Sequence, residues 1–94
     1  MNHEYDLIPQ TTLNEIERFV IGGTPAGGFV THVLCGDLFR AVGSADAENA
    51  LALTQIAKFI YNNTPALSWG NVEKVNNWIE MKRAERNGHE KFQR

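Results

Sequence analysis

Cysteine is almost missing from this chain. With Cys35 alone among 94 residues no internal disulfide can form, which suits a reducing compartment and leaves the fold to the burial of apolar side chains. An excess of positive charge is missing too. Lys and Arg number 9 against 11 Asp and Glu, for a net charge of -2, whereas a protein that neutralises phosphates along a duplex carries a clear positive excess. General nucleic-acid binding is therefore not expected. No apolar run approaches the ~20 residues a membrane helix requires, and Met1-Asn2-His3-Glu4-Tyr5-Asp6 has no basic stretch followed by an apolar one, so nothing there marks the chain for secretion. A soluble cytoplasmic protein is expected. No segment alternates apolar and polar residues long enough to make a strand, and no internal repeat is visible.

What is present is ordinary globular material, 43% hydrophobic and 21% charged. A chain this short closes one modest core and gains from self-association, so a homo-oligomer is expected. Thr12-Leu13-Asn14-Glu15 matches a capping box and predicts a first helix with Leu13, Ile16, Phe19 and Val20 on its inner face, stopped by Gly22-Gly23. Thr24 as cap and Pro25 as first residue predict a second helix running to about Gly36. Asp37 predicts a short helix over Leu38 to Val42, closed by Gly43. Ser44 or Asp46 opens the longest segment, with Ala50, Leu53, Ala57 and Ile60 as a stripe that Leu51, Ile56 and Phe59 widen; Asn62-Asn63-Thr64-Pro65 ends it. Asn71 caps the last helix, whose inner face is Val72, Val75, Trp78, Ile79 and the stem of Lys82. The expected fold is all-α, a compact bundle of four main helices plus one short helix. Residues 1–10 read as an N-terminal extension, 11–87 as the helical domain and 88–94 as a C-terminal tail.

The run Ile8-Pro9, Pro25-Ala26-Gly27-Gly28-Phe29, Asp37-Leu38-Phe39, Ala45-Asp46 with Asn49, Tyr61-Asn62 with Pro65, Trp69-Gly70 and Trp78 resembles a family of small accessory proteins encoded by tailed phages and prophages, over about residues 8 to 80. Thr24 stands where isoleucine is more usual, Cys35-Gly36 replaces a polar pair, and Asn71 replaces a serine cap. The resemblance implies a gene product acting in the cytoplasm of an infected bacterium. Chains of this size there commonly counter host defence, by sponging a nucleotide signal or by capping a defence protein.

The two glycine pairs of Gly22-Gly23-Thr24-Pro25-Ala26-Gly27-Gly28 suggest that something approaches the backbone closely, either an anion or a neighbouring helix. A phosphate at that helix opening would meet Thr24, Gly27, Gly28 and the amide of Phe29. Neither a P-loop nor a dinucleotide-binding glycine spacing is present. Tyr61 and Trp69 are either base-stacking rings or anchors of the last loop. Arg40 is either an anion clamp or the partner of an acid. His32 and Cys35 lack further ligands for zinc, since His3 and His89 lie toward the ends, and the expected pattern has no metal and no cofactor. Glu15, Glu17, Asp46 and Glu48 read as helix-start acids.

Two functions follow as expectations. One is a non-catalytic sponge for a cyclic oligonucleotide or similar nucleotide-derived signal, using Thr24, Gly27, Gly28 and Phe29 for phosphate, Tyr61 or Trp69 for the base and Arg40 for charge. The other is an inhibitor or adaptor that docks an acidic helical surface, around Glu15, Glu17, Asp46 and Glu48, on a host defence protein. An enzyme is not expected, because no nucleophile, base and orienting group stand at a supporting spacing.

Overall fold

Apolar residues at helical spacing, separated by Gly, Asp and Pro breaks, fold into short helices. The computed structural model describes residues 4–92, with side chains through residue 86. The helices are α1 (Gln10–Gly22), α2 (Gly28–Leu34), α3 (Leu38–Ser44), α4 (Ala47–Leu51), α5 (Leu53–Asn63) and α6 (Val72–Phe92), with a 3-10 turn at Ala66–Ser68 between the last two. Among the described residues there is no strand, so the all-α class holds while the α-helices number six, one more than the sequence pattern indicates.

The chain enters α1 earlier than the capping box predicts. Pro9 stands at the N-cap, and its carbonyl accepts from the amides of Thr12 at 3.0 Å and Leu13 at 3.1 Å. Thr12 is thereby carried inside the helix and buried, where its hydroxyl donates to Asn49 Oδ1 at 2.7 Å and ties α1 to α4. The buried Ile8 draws this earlier start, because its side chain joins the core just ahead of Pro9. Tyr5 and Leu7, within the segment read as an extension, are anchored as well. The Tyr5 ring meets Phe59 edge-on at 5.3 Å, its hydroxyl accepts from the side-chain amides of Asn62 and Asn63 at 3.3 Å, and the Leu7 amide donates to Gln55 at 2.8 Å.

The longest predicted helix is divided at Ala52, which sits at φ -93° and ψ 2° with its side chain fully buried. Hydrogen bonds continue across it, from the Ala52 amide to the Glu48 carbonyl and from the Ile56 amide to the Ala52 carbonyl, so the division is a bend. Beyond the bend the inward row is Ala52, Ile56 and Ile60 at i, i+4 and i+8. Ala50 and Ala57, predicted for the inner stripe, lie on the exposed side, and so does Leu51. The helix ends without a left-handed Asn: among the described residues no non-glycine residue has positive φ, and Thr64 turns to extended backbone while its hydroxyl donates to the Ile60 carbonyl at 2.6 Å. Asn71 caps α6 as expected, accepting from the Lys74 amide at 2.8 Å, but α6 runs on to Phe92 through the residues read as a tail.

Ile16 and Phe19 of α1, Val30 and Leu34 of α2, Ile56 and Ile60 of α5, and Val75 and Trp78 of α6 meet in one core. The Trp78 indole donates to the carbonyls of Phe19 and Val20, both at 3.2 Å, which locks α6 to the last turn of α1. Val72, predicted inward, is exposed because it opens α6 at the rim of the bundle.

Gly43 lies inside α3 without a positive φ, and a Cβ there meets nothing within 4 Å. Alanine removes backbone freedom from the unfolded chain at such a site. Gly43→Ala is therefore expected to stabilise the protein by about 0.5–1 kcal/mol, read as a higher urea midpoint at unchanged slope.

Candidate functional site

Between α1 and α2 the chain crosses back along α1 as an extended strap, 23–27. Its first residue, Gly23, terminates α1 in the left-handed conformation, with its amide on the Phe19 carbonyl at 2.9 Å and the Thr24 amide on the Arg18 carbonyl at 3.3 Å. The first bond, from the left-handed residue to the carbonyl four positions back, is that of the αL motif. Thr24 does not cap α2. The helix opens three residues later than predicted, with Gly27 at the N-cap and no side-chain cap. Pro25 falls in the strap, where its fixed φ suits extended chain as well as it suits a first helical turn.

The close approach that the glycines foretell is made by the protein itself. The Gly27 amide donates to the Glu15 carboxylate of α1, and a Cβ on Gly27 would stand 2.8 Å from that oxygen. Glu15 is thus neither half of a capping box nor part of an outward acidic face. It ties the strap down. At the opening of α2 the Gly27 amide, which has no helical partner, is satisfied by that carboxylate. Gly28 is open, since a Cβ on it meets nothing within 4 Å. Thr24, Gly27 and Gly28 are exposed, while the Phe29 side chain packs on the core and leaves its backbone for any contact outside.

A shallow pocket of about 250 Å³ opens beside the strap, lined by Glu17, Arg18, Ile21, Gly22 and Thr24. Arg18 is the cation nearest the glycines in the chain, and its spacing explains why: one turn before Gly22 on α1, it shares the face along which the strap returns. That residue was not among those the sequence singles out. The usable signal was the i, i+4 relation of Arg18 to Gly22, masked because the amphipathic pattern places Arg18 on the solvent side.

The other predicted residues do not join this pocket. Arg40 lies at the start of α3, where its guanidinium meets the Asp37 carboxylate at 3.4 Å while the Asp37 side chain also accepts from the Arg40 amide. Such exposed pairs contribute about 0.2–1 kcal/mol. Tyr61 and Trp69 stand together, ring centroids 5.7 Å apart and tilted 49°. They line a groove at the far end of α2, where the Gly70 amide donates to the Leu34 carbonyl at 2.7 Å. The seven residues of α2 put about 10 Å between the strap and that groove. One subunit therefore does not bring these rings to the glycine loop.

Asp46 caps α4 through the Asn49 amide at 2.8 Å, and Glu48 lies in the same first turn, which fits their reading as helix-start acids. Among the described residues no group of three or more His, Cys, Asp and Glu is placed to hold a metal; His3 lies outside them, and so does the side chain of His89. The Cys35 thiol is pushed up from its ordinary value of 9.0, by burial first and by the Asp37 carboxylate second. Less thiolate is present at neutral pH, the opposite of what a nucleophile needs. Alkylation of Cys35 by iodoacetamide at pH 8 is expected to run slower than that of a free model thiol, and to go on accelerating with pH beyond the region around 9.0 where the free thiol levels off.

Compared with known proteins, the chain matches no family model, no curated protein and no solved structure.

Proposed function

We propose that this protein is a non-catalytic, phage-type counter-defence protein that sequesters a phosphate-bearing, nucleotide-derived signal of the cyclic-oligonucleotide kind in the bacterial cytoplasm. The observation that carries the proposal is the meeting of Arg18 and Thr24 in one pocket beside an exposed strap whose Gly27 amide is already engaged by a carboxylate. A phosphate in that pocket gains the Arg18 guanidinium and the Thr24 hydroxyl, donors that recognise such groups, against the Glu17 carboxylate that shares the lining, while the open Gly28 offers its amides at the other end of the strap. The pocket is too shallow to enclose a nucleotide by itself, so a second copy completes the enclosure. Tyr61 and Trp69 fall away as base contacts within one chain, and Arg18 takes the place assigned to Arg40.

The test is the rise in melting temperature on adding cyclic dinucleotides, with native mass spectrometry to count subunits and retained ligand. Gly28→Glu is the clean variant, because its side chain has room and brings a negative charge to the mouth of α2. Gly28→Glu and Arg18→Glu are expected to melt near the wild type without ligand and to lose the ligand-induced rise. Glu15→Gln is expected to enlarge it by removing a competing charge. Retention of the full rise by both charge-reversal variants sinks the sponge.

Docking on a host defence protein is favoured by one observation, the exposed apolar row Leu38, Phe39 and Val42 on α3, with Phe39 85% exposed. That surface is apolar, unlike the acidic face expected from Glu15 and Glu17. Loss of counter-defence in Phe39→Asp with the ligand response intact would favour docking.

A further inference from the structure

We propose a second binding site, separate from the strap, that takes a compact aromatic anion: one flat ring system carrying a single carboxylate or sulfonate. The groove between the end of α2 and α5 has a volume of about 480 Å³, within the range of roughly 300–1,000 Å³ typical of small-molecule sites. Val33 and Ala57 form its apolar floor, and Tyr61 and Trp69 form a splayed aromatic wall at 49°, with Tyr61 72% exposed and available to lie against a ring. The Trp69 indole Nε1 is buried without an acceptor, so this wall carries an unspent polar donor.

Charge decides the ligand class. Lys58 is the only charged side chain among the groove's lining residues, and no carboxylate pairs with it among the described residues. It stands three residues before Tyr61 on α5, which puts ammonium and ring on one face of the helix. A neutral apolar ligand would fill the groove and leave Lys58 without use; a cation would be repelled by it. An aromatic anion satisfies both the wall and the charge. Because Lys58 is exposed and solvated, the anionic group adds selectivity more than bulk affinity.

The experiment uses two matched fluorescent probes on the full chain: 1-anilinonaphthalene-8-sulfonate and its uncharged counterpart N-phenyl-1-naphthylamine. The sulfonate is expected to bind more tightly than the neutral probe, by up to about fivefold in Kd, with the preference shrinking as salt is raised. Lys58→Gln is expected to erase the preference by weakening only the sulfonate. Tyr61→Ala is expected to weaken both probes, and Phe39→Ala, on the α3 face, neither. Indole-3-acetate should displace the sulfonate better than indole does. Equal binding of the two probes, or sulfonate binding unmoved by both Lys58→Gln and Tyr61→Ala, overturns the proposal. So does loss of binding as protein concentration is raised, which would show a second copy covering the groove.

Discussion

Replacing Phe19 by alanine is expected to lower the unfolding free energy by about 3–5 kcal/mol, the largest loss from any single truncation of the core. Phe19 is the largest of the fully buried side chains, with 0% exposure. Its ring sits where α1, α2, α5 and α6 converge, so its removal leaves a cavity bounded by several helices that cannot all relax into it. Its carbonyl is also shared by the Gly23 amide and the Trp78 indole, and loosening of this turn reaches both the end of α1 and the seat of α6. Small domains have only about 5–15 kcal/mol in total, so Phe19→Ala should unfold at far lower urea than wild type. An unfolding midpoint within error of wild type would show that the core is not centred on this ring.

Gly23→Ala is the second large effect. Gly23 has φ 71°, and an added Cβ would stand 2.5 Å from Lys82 Cβ and 3.1 Å from Lys82 Cγ on α6. The contact involves the base of the lysine side chain, which cannot swing away without moving the helix. The left-handed conformation costs alanine about 1–2 kcal/mol, and the overpacking adds about 1–3 kcal/mol, for a loss of about 2–5 kcal/mol in all. The displaced Lys82 also has its ammonium 5.0 Å from the centre of the Trp78 ring, so the strain is transmitted to the indole that binds α1. The control is Gly28→Ala, a helical glycine with open space, for which stability is expected to hold or rise. If both alanines behaved alike in urea unfolding, the close packing of α6 on Gly23 would be excluded.

These two glycines show how the sequence and the structure divide the information. Gly22-Gly23 is legible as a helix stop, because a left-handed residue after a periodic apolar run has few other readings. That the same glycine also makes room for Lys82 is invisible along the chain, since the two residues meet only once α6 has packed on α1. The Gly27 pattern is similar. Its demand for a close approach is written in the sequence, but the approaching group, Glu15, stands one helix away and was read as a local capping residue.

Half of the helix starts were local matters, and local chemistry shows in the sequence: Asp37, Asp46 and Asn71 each accept a backbone amide three residues on. The inner faces of α1 and α6 were legible for the same reason, as apolar spacing maps directly onto one side of a helix. The bend at Ala52 was not, because alanine favours an unbroken helix and only the packing of its buried methyl rotates the inward row onto Ile56 and Ile60.

The candidate sites follow the same division. The chain by itself specified an all-helical class and a glycine segment that something approaches closely, since both depend on neighbours within a few residues. Which side chains share a pocket was decided by tertiary packing: it put Arg18 with Thr24 across the strap, and Trp69 with Tyr61 and Lys58 across the groove. The physical reason is range. Caps, turns and periodicity act over three or four residues, whereas a pocket is made by helices meeting across the core, and their angles depend on how every buried side chain fits at once.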